Sequence, residues 1–201
     1  MIQDLDATIS AMLKNRAPVG SELAGSDIRF DLPDTKWRQA VNKLTVNCYL
    51  FDIRENVELR THEGVFARSA DLTRATRIRP PVRVDCAYSI TAWSVAQTDQ
   101  VLEEHRVLSQ VLRVLLQFPQ IPQADLQGSM VDQPPPYPTV IAAAPDPTRN
   151  IPEFWRALDQ ELKPSLNYVV TLGMWLDPIP STLGRVVETV VVNAADFSEK
   201  P

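Results

Sequence analysis

The chain holds two histidines, His62 and His105, and two cysteines, Cys48 and Cys86. A zinc site needs several such ligands at spacings that let them converge, and neither histidine has a second His or a Cys so placed. Paired carboxylates suited to general acid–base work occur as Glu103-Glu104 and as Asp159 near Glu161. Both fall in helix-like stretches, where residues one or two apart point in different directions, so neither is an acid–base pair by itself. There is no Gly-x-Ser-x-Gly elbow, no P-loop and no dinucleotide fingerprint. A Ser-His-Asp set assembled by folding stays open. No residue pattern announces catalysis, however, and neither an enzymatic activity, a metal nor a cofactor is expected. Both cysteines sit in strand-like apolar runs and read as small buried hydrophobes of a reducing compartment. His105 lies beside an apolar helical stripe and reads as a core-edge histidine.

What the sequence does concentrate is arginine. Arg68, Arg74, Arg77 and Arg79 fall within a polar stretch from Thr61 to Arg79 that has little periodicity. It reads as a mobile loop or a hairpin extension. Its arginines are either simply solvated or a docking surface, since guanidinium groups suit bidentate contacts to carboxylates on a partner.

The elements that must carry such contacts are organised around Pro80 to Pro119. Val84, Cys86, Tyr88, Ile90 and Ala92 alternate with Asp85, Ala87, Ser89 and Thr91, the period of a strand with one apolar face. Thr98 is the expected N-cap of the longest helix, which runs to Phe118 and stops at Pro119. That helix shows two apolar stripes. Val101, Leu108, Leu112 and Leu115 form one, and Val107, Val111, Val114 and Phe118 form the other. A helix lying on one sheet needs a single stripe. The second implies a second cover, either another helix of the chain or a neighbouring subunit, and Val107, Val111, Val114 and Phe118 are therefore candidate assembly contacts.

Around this unit the reading is coarser. Ile2, Leu5, Ile9, Met12 and Leu13 give a first amphipathic helix; Asp27 to Leu32 and Leu44 to Ile53 are strands. Ile121 to Tyr137 is a long connector ending in Pro134, Pro135, Pro136 and Tyr137, an extended strap and a further candidate contact. Thr139 to Ala144 is a short strand. Asn150-Ile151-Pro152-Glu153 opens a helix through Leu162. Leu166 to Leu176 and Arg185 to Asn193 are strands spaced for antiparallel pairing. Strands cluster around helices without regular β-α-β alternation, which predicts an α+β fold with a largely antiparallel sheet flanked by helices. One domain is expected over 1–193, with a short tail over 194–201.

Composition narrows the function classes. The net charge of −5 supplies no basic field, so nucleic acid is not expected as a partner. No apolar run is long enough to span a membrane, and the N-terminus has no signal-peptide pattern, so cytoplasmic synthesis is expected. With 17 prolines against 6 glycines, the connections are expected to be stiff.

Several stretches together carry a resemblance. They are residues 26–33 (SDIRFDLP), 44–56 (LTVNCYLFDIREN), 79–93 (RPPVRVDCAYSITAW), 103–112 (EEHRVLSQVL) and 166–171 (LNYVVT). The chain resembles the cap, or tube-terminator, proteins of extracellular contractile injection systems of the antifeeding-prophage type. That resemblance implies a phage tail-terminator-like fold. It also implies a homohexameric ring on the baseplate-distal end of the inner tube, in contact with tube and sheath proteins. A phage-type neck or tail-completion protein is the related alternative; a small enzyme or ligand-binding domain is the unrelated one.

Overall fold

The computed structural model describes residues 1–61, 65–68, 74–78, 80–132, 136–142, 151–176 and 183–185. Arg79, Pro134, Pro135, Asn150, His62 and the tail lie outside them. The chain divides into two compact units, one of Met1–Val57 with Arg83–Gly173 and one of Glu58–Val82 with Met174–Pro201.

The first unit is built on a five-stranded sheet in the order β1-β2-β5-β7-β6. Its strands are β1 (Asp27–Arg29), β2 (Thr45–Glu55), β5 (Val82–Trp93), β6 (Thr139–Ile141) and β7 (Leu166–Met174). The expected central strand is thus central. β2 and β5 pair antiparallel, as do β6 and β7, while β1 is parallel to β2 and shorter than its sequence suggests. Alternation puts Cys48, Cys86, Tyr88 and Ile90 on one face, and β7 adds Tyr168, Val170 and Leu172, all fully buried. A bulge at Phe51 shifts the register between Leu50 and Asp52. Beyond it Ile53, rather than Asp52, stands opposite Cys86.

Helix α1 (Ile2–Arg16) lies over that face and buries Leu5, Ile9, Met12 and Leu13. Its Asp6 accepts a hydrogen bond of 2.7 Å from the Tyr88 hydroxyl. Burial pushes the Asp6 carboxyl above its usual value, against the pull of that bond. Burial also raises the Cys86 thiol to about 11, with Asp85 and Asp6 adding to the shift. The cysteines are free and buried, as expected.

The opposite face is more covered than a half-solvated sheet would be. Thr45, Asn47 and Thr91 are all buried. Their polar groups turn inward: Asn47 Nδ2 donates to the Asp31 carbonyl at 3.0 Å, and Thr171 Oγ1 to Asp85 at 2.6 Å. At one end this face meets α3 (Thr35–Ala40) and α5 (Ile151–Ala157), where Trp93, Trp155 and Val41 form a cluster with Trp37 packed on it. The sequence reading has no counterpart to α3. Asp34 caps it, accepting from the Trp37 amide at 2.7 Å, but six residues are too few to show a helical period. α5 is shorter than its opening motif promises, because Asp159 takes a left-handed conformation (φ 54°) and leaves Leu162 exposed.

The connector is a strap over α1, folded into two 3-10 turns, Gln123–Asp125 and Gly128–Met130. Asp125, itself buried, holds Arg16 Nε at 3.0 Å and Asn15 Nδ2 at 3.1 Å. The Gln127 amide donates to Thr8 Oγ1 at 3.0 Å, and Ser129 Oγ to Asp4 Oδ2 at 2.5 Å. Gly128 makes this docking possible: it has φ 56°, and a Cβ there would stand 2.6 Å from Asp4 Cγ.

The second unit contains a three-stranded sheet of β3 (Val65–Arg68), β4 (Arg74–Ile78) and β8 (Leu183–Arg185). Within the arginine-rich stretch β3 and β4 pair antiparallel. β8 pairs with β4, while residues 186–193 of the expected last strand lie outside the described residues.

Two measurements check these arguments. Gly128→Ala imposes a left-handed alanine, costing about 1–2 kcal/mol, and adds a clash with Asp4. The melting temperature should fall by roughly 4 °C or more; an unchanged value contradicts the docking geometry. For Asp6, a raised pKa in the fold means the native state binds the proton more tightly than the unfolded chain. Its stabilising contribution is present at acid pH and is lost as pH rises through the raised value. The melting temperature of Asp6→Asn minus that of the wild type should therefore grow from acid to neutral pH. A pH-independent difference contradicts the burial of a carboxyl beneath α1.

Candidate assembly surface

Helix α4 (Gln100–Leu116) carries three of the candidate contact residues, Val107, Val111 and Val114, with Phe118 just beyond its end, and its start departs from expectation. The N-cap is Asp99, not Thr98; it is left-handed (φ 56°) and makes no side-chain cap. The helix is instead tied down through Ser94, which directly follows β5. The Ser94 amide donates to Glu104 Oε1 at 3.0 Å, its hydroxyl bonds Glu103, and its carbonyl accepts from Arg38 and Gln100, each at 3.1 Å. Glu104 is buried and completes its shell with Lys163 Nζ at 2.6 Å. The Lys163 ammonium also sits 4.4 Å from the Trp93 ring centroid. Burial draws the lysine below its ordinary pKa, opposed by its bond to Glu104.

The two stripes of α4 turn out to be the two flanks of one wide buried arc. Val107 and Val111 are fully buried, Val114, Leu108 and Leu115 nearly so, all within their own chain. α1, α2 (Glu22–Gly25) and β6 pack against the helix and supply the cover. This corrects the assembly role expected for Val107, Val111 and Val114: their partners are internal. Val101, assigned to the sheet-facing stripe, is 59% exposed. Phe118 is half-buried, with the Arg16 guanidinium 5.1 Å from its ring centroid. His105 is exposed rather than at the core edge.

Of the strap, Pro136 is exposed, whereas Tyr137 is buried and donates its hydroxyl to the Met130 carbonyl at 3.1 Å. Tyr137 is thus an internal anchor, a correction to its expected contact role. On the β3–β4 pair, Arg68 stands opposite Ala75, Arg77 opposite Phe66, and Arg74 opposite Arg185 of β8. Arg79, Pro134 and Pro135 fall outside the described residues. Among the described residues, no three of His, Cys, Asp and Glu come together as a metal site.

One edge strand of the main sheet is short, and the other is bonded at its start. β1 is only three residues long. At the other edge the Thr139 amide donates to the Pro119 carbonyl at 2.9 Å and the Ile121 amide to Tyr137 at 3.1 Å, so the segment after α4 covers β6.

A family model described as the Pvc16 N-terminal domain matches residues 4–189. The chain belongs to that family. As a Pvc16 N-terminal domain it shares its α+β architecture with two solved structures. The PVC sheath/tube terminator in its extended state is 26% identical, with a TM-score of 0.64 over 98% of this chain and 65% of its own. The anti-feeding prophage tube-terminating cap is 28% identical, with a TM-score of 0.62 over 96% of this chain and 62% of its own. The chain therefore spans less than two thirds of the length of either structure. No curated protein matches the sequence.

The internal cover of α4 sets the outcome of one substitution. Val111→Asp places an unpaired carboxylate in the core and should cost about 3 kcal/mol or more. A thermal melt should show an unfolded or strongly destabilised monomer. A near-normal melt with loss only of higher-order assembly would instead restore the assembly role of that stripe.

Proposed function

We propose that this protein is a structural cap of a phage-tail-like contractile injection system. In this reading it closes the baseplate-distal end of the inner tube as a ring of identical subunits, six by expectation, and anchors the sheath. The observation that carries the reading is the match of nearly the whole chain to two structures described as a sheath/tube terminator and a tube-terminating cap. The role asks for no catalysis, cofactor or nucleic acid. It asks for a rigid domain that ends growth.

A ring that ends growth must close on itself. A head-to-tail contact that closes under rotation gives a finite ring, and further growth requires a fresh face like the one just covered. The arginine-rich stretch, with Arg68, Arg74, Arg77 and Arg79, and the proline strap near Pro134, Pro135 and Pro136 are the proposed contacts to tube and sheath. We place synthesis and assembly in the cytoplasm, before any release of the particle.

Particles assembled without this protein test the reading. Tube and sheath lengths, measured by electron microscopy, should spread widely without it and return to a single value on complementation. A narrow, unchanged length distribution in its absence overturns the capping role.

A further inference from the structure

The outward face of α4 has a pattern of its own. Leu102, His105, Ser109, Leu112 and Leu116 follow at steps of three, four, three and four residues. That is the a/d seam of a coiled coil, and here it points away from the core. Leu102 and Leu116 are 55% and 61% exposed, His105 and Ser109 are exposed, and Leu112 is half-buried. Arg106 and Arg113 each follow a d position, which makes them the e residues of the seam. Arg106 is held by Glu22 at 3.0 Å, while Arg113 has no ion-pair partner among the described residues. So an apolar seam with a cationic flank stands on the surface of a chain whose net charge is −5.

We propose that this seam docks an acidic amphipathic helix of another polypeptide. Charge selects the occupant. In an antiparallel pair of two copies, e positions face e positions, so arginine would oppose arginine. In a parallel pair, e faces g, and the g positions Leu108 and Leu115 are buried in the core. The α4 of a second copy therefore fits in neither orientation. A helix with leucine-type residues on its seam and Glu or Asp on its flank fits in both respects, burying the exposed leucines and pairing Arg113.

The test uses the full chain and a labelled synthetic helix about three heptads long, with leucine at a and d and glutamate on both flanks. A twin peptide carries lysine in place of glutamate. Fluorescence anisotropy should show the glutamate peptide binding at least roughly tenfold more tightly than its twin. Leu116→Glu should abolish that binding, and Arg113→Glu should reverse the preference. Both side chains are exposed, so both variants should melt like the wild type. Equal binding of the two peptides, no binding of either, or binding that survives Leu116→Glu overturns the proposal. So does self-association of the wild type, seen by sedimentation, that Leu116→Glu removes.

Discussion

The first unit turns on one residue at the end of its central strand. Ser94 has its amide, carbonyl and hydroxyl all engaged, and the partners come from α3 and α4. Glu104 extends the joint to Lys163 in the segment leading into β7. Trp93, one position earlier, lies under both cations, with Lys163 at 4.4 Å and Arg38 at 5.6 Å from its ring centroid. A buried carboxylate costs several kcal/mol in lost hydration, and only a complete set of donors offsets that cost. Every element that reaches Ser94 is thereby held in one arrangement. The lowered lysine pKa has the same origin: burial disfavours the charged ammonium, and the bond to Glu104 opposes that shift.

Such rigidity suits the capping role proposed for the chain. The strap is fixed on α1 through Asp125, Thr8 and Asp4, and the segment after α4 bonds β6 at Thr139.

The sequence carried much of this, unevenly. β5 and α4 were legible because each is long enough for its period to repeat, and so were α1 and β7. The two-stripe reading of α4 failed for a geometric reason. Val107 and Leu108 mark the limits of a single arc wide enough to be mistaken for two stripes, and α1 fills the space assigned to a neighbour. Tyr137 was misassigned because prolines mark a surface strap, while its hydroxyl finds an internal carbonyl. The bulge at Phe51 and the left-handed Asp159 leave no trace in a hydrophobic pattern. The Ser94 joint was invisible for another reason. Glu104 and Lys163 lie 59 positions apart, and Glu104 beside Glu103 read only as adjacent helical carboxylates pointing in different directions.

A double-mutant cycle on Glu104 and Lys163 in the full chain tests the joint most directly, using Glu104→Gln, Lys163→Met and the pair together. If this is a buried, geometry-setting contact, each single change should cost about 3 kcal/mol or more by leaving its partner's charge unpaired. The double change should then recover much of that loss, for a coupling of about 2 kcal/mol. Additive effects, with a coupling below about 0.5 kcal/mol as in exposed pairs, would contradict the account.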